Sequence, residues 1–171
     1  MQRLVQDLRL DFSVNHRLLD RITVTAFRFN QWAYRGRLRP VKRLVAKAID
    51  ALWMQGVVGA DMPGRVACGA PLRLPHGGRN VVLHPNVTIG ASVTIYHGVT
   101  LGVYGPDPSH VPTVDDGAYL GTGAAVIGRV HVGKGAKVGA NATVTKDLPA
   151  GHTAVSAPIQ LRVPKGTATA S

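Results

Sequence analysis

Acidic side chains are scarce in this chain of 171 residues: nine Asp and Glu stand against twenty Lys and Arg, a formal charge of +11. The excess is concentrated at the start, where residues 1 to 50 carry eleven Lys/Arg against four Asp. Such a balance attracts nucleic acid, anionic lipid or a phosphorylated ligand. Aromatic residues make up only 5% of the chain and no nucleic-acid motif accompanies the charge, so nucleic acid is not expected as a partner. The basic start reads as the solvated surface of helices, with peripheral contact to a membrane left open. A single cysteine, Cys68, excludes an intramolecular disulfide. No apolar run approaches the roughly 18 residues of a membrane span, and the first residues do not resemble a signal peptide. A soluble cytoplasmic protein is the expectation, with one substantial domain and a small appendage.

What is present is a repeat. An aliphatic residue returns every six positions at Leu83, Ile89, Ile95 and Leu101, then at Val114 and Leu120 beyond an interruption, then at Val126, Val132, Val138 and Val144. Glycine follows five of them, at Gly90, Gly102, Gly121, Gly133 and Gly139. A fixed short period means one unit repeated, each burying its apolar face against its neighbours. Six fits neither an amphipathic helix nor a hairpin sheet. Three hexapeptides, one per side, make one turn of a triangular coil, with the aliphatic residue inward. Cys68 lies six before Leu74 in this inward phase and reads as a small buried thiol. The fold class is mainly β: a parallel β-helix of hexapeptide repeats with a short N-terminal α-helical segment.

Three helices are predicted ahead of the coil. Leu4, Val5 and Leu8 have helical spacing within residues 2–12. Asn15 is a candidate N-cap for a second helix with Leu18, Leu19, Ile22, Ala26, Phe29 and Ala33 along one face, closed by Gly36. Pro40 opens a third, whose stripe of Val41, Leu44, Val45, Ala48 and Leu52 stops at Gly56. An open coil end exposes strand edges, so these helices are expected to cap it or to join subunits. The expected divisions are a helical segment over 1–57, the coil over 58–149, and a closing segment with a flexible tail over 150–171.

Two irregularities mark candidate functional positions. Leu74 to Leu83 takes nine residues instead of six, a bulge that contains His76. Val103 to Pro112 (VYGPDPSHVP) is too turn-rich to continue the coil and reads as a loop thrown out from one corner, a common place for binding residues. His76, His84, His97 and His110 fall in or beside these parts. Histidine is the side chain most readily poised as a base near neutral pH, although each also reads as an ordinary surface residue on a glycine-rich turn.

The order Asp61-Met-Pro, His76-Gly-Gly, VTIYHGVTLG, the loop, PTVDDGAYLGTGAAVIG and VGKGAKVGANATVTKDLPAG resembles the serine acetyltransferase branch of the hexapeptide-repeat acyltransferases, from about residue 58 to 158. The resemblance implies a left-handed coil, acetyl-CoA as cosubstrate, no metal and a homotrimer with active sites between subunits. It implies that His76 takes the proton from an acceptor hydroxyl. Asp61, fifteen residues earlier, would hydrogen-bond its other ring nitrogen; read alone, Asp61 is simply a turn residue. The pantetheine arm would lie near Gly102, Gly121, Thr122 and Ala140, with Lys137 near the phosphates. These glycines equally turn the corners of a coil. His97, Tyr104, Asp107 and His110 would line the acceptor site.

The acceptor, a small molecule or a glycan, is harder to read. Serine enzymes of this family carry an aspartate before the catalytic histidine and Arg-His-Pro at the end of the loop. Here Pro75 and His110-Val111-Pro112 occupy those positions. The departures favour a sugar hydroxyl of a bacterial surface polysaccharide, with serine O-acetylation as the alternative. A zinc-dependent carbonic anhydrase on the same coil would need three histidine ligands, two of them five apart, which these histidines do not offer. A non-catalytic glycan-binding platform is the remaining alternative.

Overall fold

The structure is a computed structural model that describes residues 1–34 and 40–157. Three α-helices come first: α1 (Gln2–Val14), α2 (Leu18–Tyr34) and α3 (Pro40–Ile49). α3 continues into a π-helical stretch, Asp50–Val58, which runs past Gly56 and ends on Gly59 in the left-handed conformation (φ 70°). The strands are β1 (Ala67–Cys68), β2 (Leu72–Arg73), β3 (Val82–Leu83), β4 (Thr88–Ile89), β5 (Val93–Ile95), β6 (Thr100–Gly102), β7 (Thr113–Val114), β8 (Tyr119–Leu120), β9 (Ala125–Ile127), β10 (His131–Val132), β11 (Lys137–Val138), β12 (Thr143–Val144) and β13 (Thr153–Ala154).

From β1 to β12 every third strand pairs in parallel, and β13 adds beside β11. The first face is β1-β4-β7-β10, the second β2-β5-β8-β11-β13, and the third β3-β6-β9-β12. Successive turns pair Cys68 with Ile89, Ile89 with Val114 and Val114 with Val132, so the repeat length is 21, 25 and then 18 residues. The regular turn is eighteen; the bulge around His76 adds three and the Val103–Pro112 loop adds seven. Each side also buries a second residue two before the aliphatic one, as Val87 stands to Ile89 and Ala118 to Leu120, all at 2% exposure or less. A fully buried Val, Leu or Ile contributes about 1.5–3 kcal/mol, so a coil built on two such positions per side has its core within the array itself.

The helices cap the N-terminal end of the coil: Val24, Phe27, Met54 and Val58 belong to one buried cluster with Val66, Leu72 and Leu74. Polar side chains make the joint. Arg28, 1% exposed, donates from Nε to Asp11 Oδ2 (2.7 Å), from Nη1 to the Cys68 carbonyl (2.9 Å) and from Nη2 to the Gly69 carbonyl (2.7 Å). Gln31 donates to the Val66 carbonyl. Asn15 does not cap α2; it closes α1, and its amide donates to the Leu72 carbonyl (2.8 Å) while its oxygen accepts from the Leu74 amide (3.0 Å). The coil's open edge competes for Asn15, because its unpaired backbone groups must be satisfied.

Other expectations also shift. Ala26 and Ala33 of the expected α2 face are buried, but so are Thr23, Val24, Phe27, Arg28 and Gln31 on another side, whereas Leu18 remains 74% exposed. The coil runs past the expected end at residue 149, since β13 adds a last strand beside β11, while Leu148 bridges Val132 within the expected range. Gly36 and the tail from Lys165 lie outside the described residues.

Candidate active site

One corner of the coil, between the second and third faces, carries His76 on the first turn, His97 on the next, Thr122 on the third and Ala140 on the fourth. Backbone bonds tie these turns in sequence: the Gly98 amide donates to the Arg79 carbonyl, Gly123 to His97 and Asn141 to Thr122. The three extra residues of the bulge bring His76 out on a tight turn, Pro75–Gly78, where its own backbone is left-handed (φ 61°, ψ 26°). A non-glycine residue in that conformation costs of order 1–3 kcal/mol, and such strain gathers at functional sites. Gly77, also left-handed, is required where it stands: an added Cβ would meet Leu19 of α2 at 2.5 Å. Its amide donates to Asp20 Oδ1 at 2.7 Å, which fixes the turn to α2.

The exposed His76 ring lies 5.1 Å, centroid to centroid, from His97 and 6.2 Å from Tyr96. His97 is half-buried and its Nδ1 has no hydrogen-bond partner among the described residues. Beside His76 opens a cavity of about 230 Å³ lined by His16, Arg17 and Asp20 from the helical segment and by Arg73, Pro75 and Tyr96 from the coil. Sequence reasoning missed Arg17, Asp20 and Arg73. No motif announces the two helical residues, but Arg73 was findable as the outward residue between the inward Leu72 and Leu74.

Asp61 pairs its backbone with Val81 and Leu83 beside β3, and its side chain points out into solvent. No hydrogen bond joins it to His76. Its carboxylate acts instead on half-buried Asp50, whose carboxyl is pushed above the usual range by burial and then by Asp61.

The Val103–Pro112 loop leaves from a different corner, between the third and first faces. Asn86 donates to the Pro108 carbonyl (3.0 Å), and Asp107 Oδ1 accepts from the Ser109 amide (2.8 Å), which holds the Asp107 carboxyl below its usual range. His110 Nε2 sits 3.4 Å from Asp107 Oδ2. Tyr104 and His110 line a cavity of about 400 Å³ with Ile127, Arg129 and Thr145. The expected acceptor residues are therefore divided within one chain: His97 stands with His76, while Tyr104, Asp107 and His110 stand together elsewhere.

Of the residues expected to meet the cosubstrate, Gly121, Thr122 and Ala140 lie along the His76 corner, whereas Gly102 ends β6 at the corner from which the loop leaves. The Thr122 and Ala140 amides make no hydrogen bond among the described residues, which suits them to a ligand's carbonyl groups. Gly121 has another reason for being small: a Cβ there would meet the Ala140 amide and the Val138 carbonyl at 2.9 Å, so the next turn fills the space. A Cβ on Gly102 would come within 3.2 Å of Ile127 Cδ1. Lys137 is exposed on the second face, in register with Tyr119.

Comparison with known proteins bears on the fold and the family. No family model matches the chain. Solved structures share the fold: a Brucella abortus serine acetyltransferase solved with coenzyme A superimposes with a TM-score of 0.78 at 22% identity, over 92% of this chain and 66% of that one. A Neisseria gonorrhoeae serine acetyltransferase solved with serine gives 0.75 at 20%, over 94% and 70%. The three-sided coil is thus the left-handed β-helix of the acetyltransferases. In sequence, serine acetyltransferase of Helicobacter pylori is 40% identical over 112 residues, 65% of this chain and 64% of that protein. Serine acetyltransferases from Bacillus licheniformis and Mycobacterium tuberculosis match at 34% and 37%. The matched stretch spans less than two thirds of the length of these relatives. The chain belongs to the serine acetyltransferase-like hexapeptide-repeat acetyltransferases.

Proposed function

We propose that this chain transfers acetyl from acetyl-CoA to the hydroxyl of L-serine. The observation that carries the reading is the cavity beside His76, which presents Arg17, Arg73 and Asp20 to whatever enters it. Serine brings a carboxylate and an ammonium, and burying either without a partner costs several kcal/mol. A site with cationic and anionic side chains offsets that cost, whereas a neutral sugar has no use for them. The sequence argument for a polysaccharide acceptor rested on Pro75 and on His110-Val111. The helical segment supplies charge that those positions lack, and the relatives at 34% to 40% identity described above are serine acetyltransferases. They favour the serine alternative over the polysaccharide reading.

In this mechanism His76 is the general base. It removes the proton from the serine hydroxyl as the oxygen attacks the thioester carbonyl. The tetrahedral intermediate then collapses with expulsion of the CoA thiolate, which takes the proton back from His76. Thr122 and Ala140 hold the pantetheine arm, and Lys137 meets the phosphates. Asp61 enters as a positioning residue from the family pattern alone. Because the loop residues stand at another corner from His76, a complete site joins His76 of one copy to Tyr104, Asp107 and His110 of a second. A homotrimer in the cytoplasm follows from this reading, and a fully active monomer in sedimentation would remove it. Mass spectrometry of a reaction with acetyl-CoA and L-serine tests the chemistry directly. O-acetylserine is expected, and its absence while another hydroxyl compound is acetylated would overturn the assignment.

A further inference from the structure

The apolar stripe of the third helix, expected to lie against the coil end or another subunit, is exposed within the single chain. Val41, Leu44 and Leu52 are 68%, 70% and 74% exposed, and Val45 and Ala48 are exposed with them. At 100° per residue Val41, Leu44, Val45 and Ala48 of α3 fall within an arc of about 100°, and Leu52 follows in the π-helical stretch. The helix rests on the molecule through Ala46 (2% exposed), Ile49 and Trp53 on another side. Exposed Lys47 borders the apolar arc on one side, with exposed Arg43 further round the same side of the helix. Near the other, Lys42 is held over the Trp32 ring, 4.1 Å from its centroid. No acidic residue lies between Pro40 and Ile49. Val45 leads, one turn on, to Ile49, which with Trp53, Phe12, Leu18, Ile22 and Phe29 lines an apolar groove of about 590 Å³.

We infer that α3 docks the protein on an anionic lipid bilayer. An apolar arc bordered by cationic side chains, on a helix too short and too charged to cross, is the pattern of a helix lying in the interface plane. None of the helices among the described residues is long and apolar enough to span a membrane. Charge decides between occupants. Residues 1 to 50 carry eleven Lys/Arg against four Asp, so a second copy meeting this face would bring Arg43 and Lys47 against like charges. Anionic headgroups complement them, and acyl chains cover the apolar arc. Nucleic acid would satisfy the charges but would leave the five apolar residues uncovered.

The test uses the full chain and vesicles of phosphatidylcholine alone or with about one third phosphatidylglycerol. Co-sedimentation should be at least about tenfold stronger with the anionic vesicles. It should fall by a similar factor in Leu44→Gln with Leu52→Gln, and in Arg43→Glu with Lys47→Glu. Acetyl transfer in solution should be unchanged in both variants, which shows that they fold. Equal binding to both lipids, or undiminished binding in the Leu44→Gln, Leu52→Gln variant, would overturn the inference. So would a lower sedimenting mass in that variant, because it would mean that a second copy covers the face.

Discussion

The rings of His76 and His97 stand nearly perpendicular, at 82°, with centroids 5.1 Å apart on successive turns of one corner. Of the two, His76 but not His97 borders the cavity that holds Arg17, Arg73 and Asp20. The pair therefore has a direction, with His76 toward the cavity and His97 behind it. His76→Ala should lower kcat by about a hundred- to ten-thousandfold, the contribution of a positioned base, with the affinity for CoA nearly unchanged. His76→Asn tolerates the left-handed backbone better and should lose as much activity, which separates chemistry from folding. His97→Ala should be milder. Steady-state kinetics with calorimetric CoA binding gives the ranking, and the reverse order would make His97 the base.

Asp61 and Asp50 make a second pair, one that costs stability. Asp50 binds its proton more tightly in the folded chain, so its ionised form is penalised above the raised pKa. The penalty fades as pH falls toward the unfolded value near 4. Asp50→Asn should raise the melting temperature at pH 7, with Asp61→Asn giving a smaller gain, and both gains should shrink below about pH 4. If Asp61 also orients His76, Asp61→Asn should lower kcat, though less than His76→Ala does. A gain in melting temperature with unchanged kcat would remove Asp61 from the mechanism.

Arg73 faces the cavity from β2, and its side chain makes no hydrogen bond among the described residues. If it meets the serine carboxylate, Arg73→Ala should raise KM for serine by about tenfold or more and leave KM for acetyl-CoA alone. Equal changes in both constants would mean that Arg73 only shapes the corner.

Arg28 should be the most sensitive structural position. Removing it leaves Asp11 buried and uncompensated, together with the Cys68 and Gly69 carbonyls. Arg28→Ala should destabilise the fold by about 3–5 kcal/mol. Arg28→Lys should recover little of this, because an ammonium cannot reproduce the fork of bonds. Urea denaturation measures both.

The coil was legible because a period of six leaves a mark on every turn, and the bulge and loop were legible as breaks in it. The second inward position was not, since it alternates between valine and alanine, as at Val87 and Ala118, and alanine carries no signal. The helices were found, but their buried faces were misjudged for one physical reason. The coil's open edge needs hydrogen bonds more than apolar contact, so Asn15, Arg28 and Gln31 turned inward while Leu18 and Leu44 stayed out. The cavity beside His76 was hidden for the same reason, because Arg17 and Asp20 reach it from a helix whose pattern predicts only packing.

The central claim is a serine acceptor activated by His76. Release of free CoA from acetyl-CoA should be followed with L-serine and, in parallel, with neutral glycan fragments. The expected result is a specificity constant for L-serine of about 10⁴ M⁻¹s⁻¹ or more, lost in His76→Ala, with the sugars near background. Rapid release with a sugar and none above background with L-serine would contradict the account.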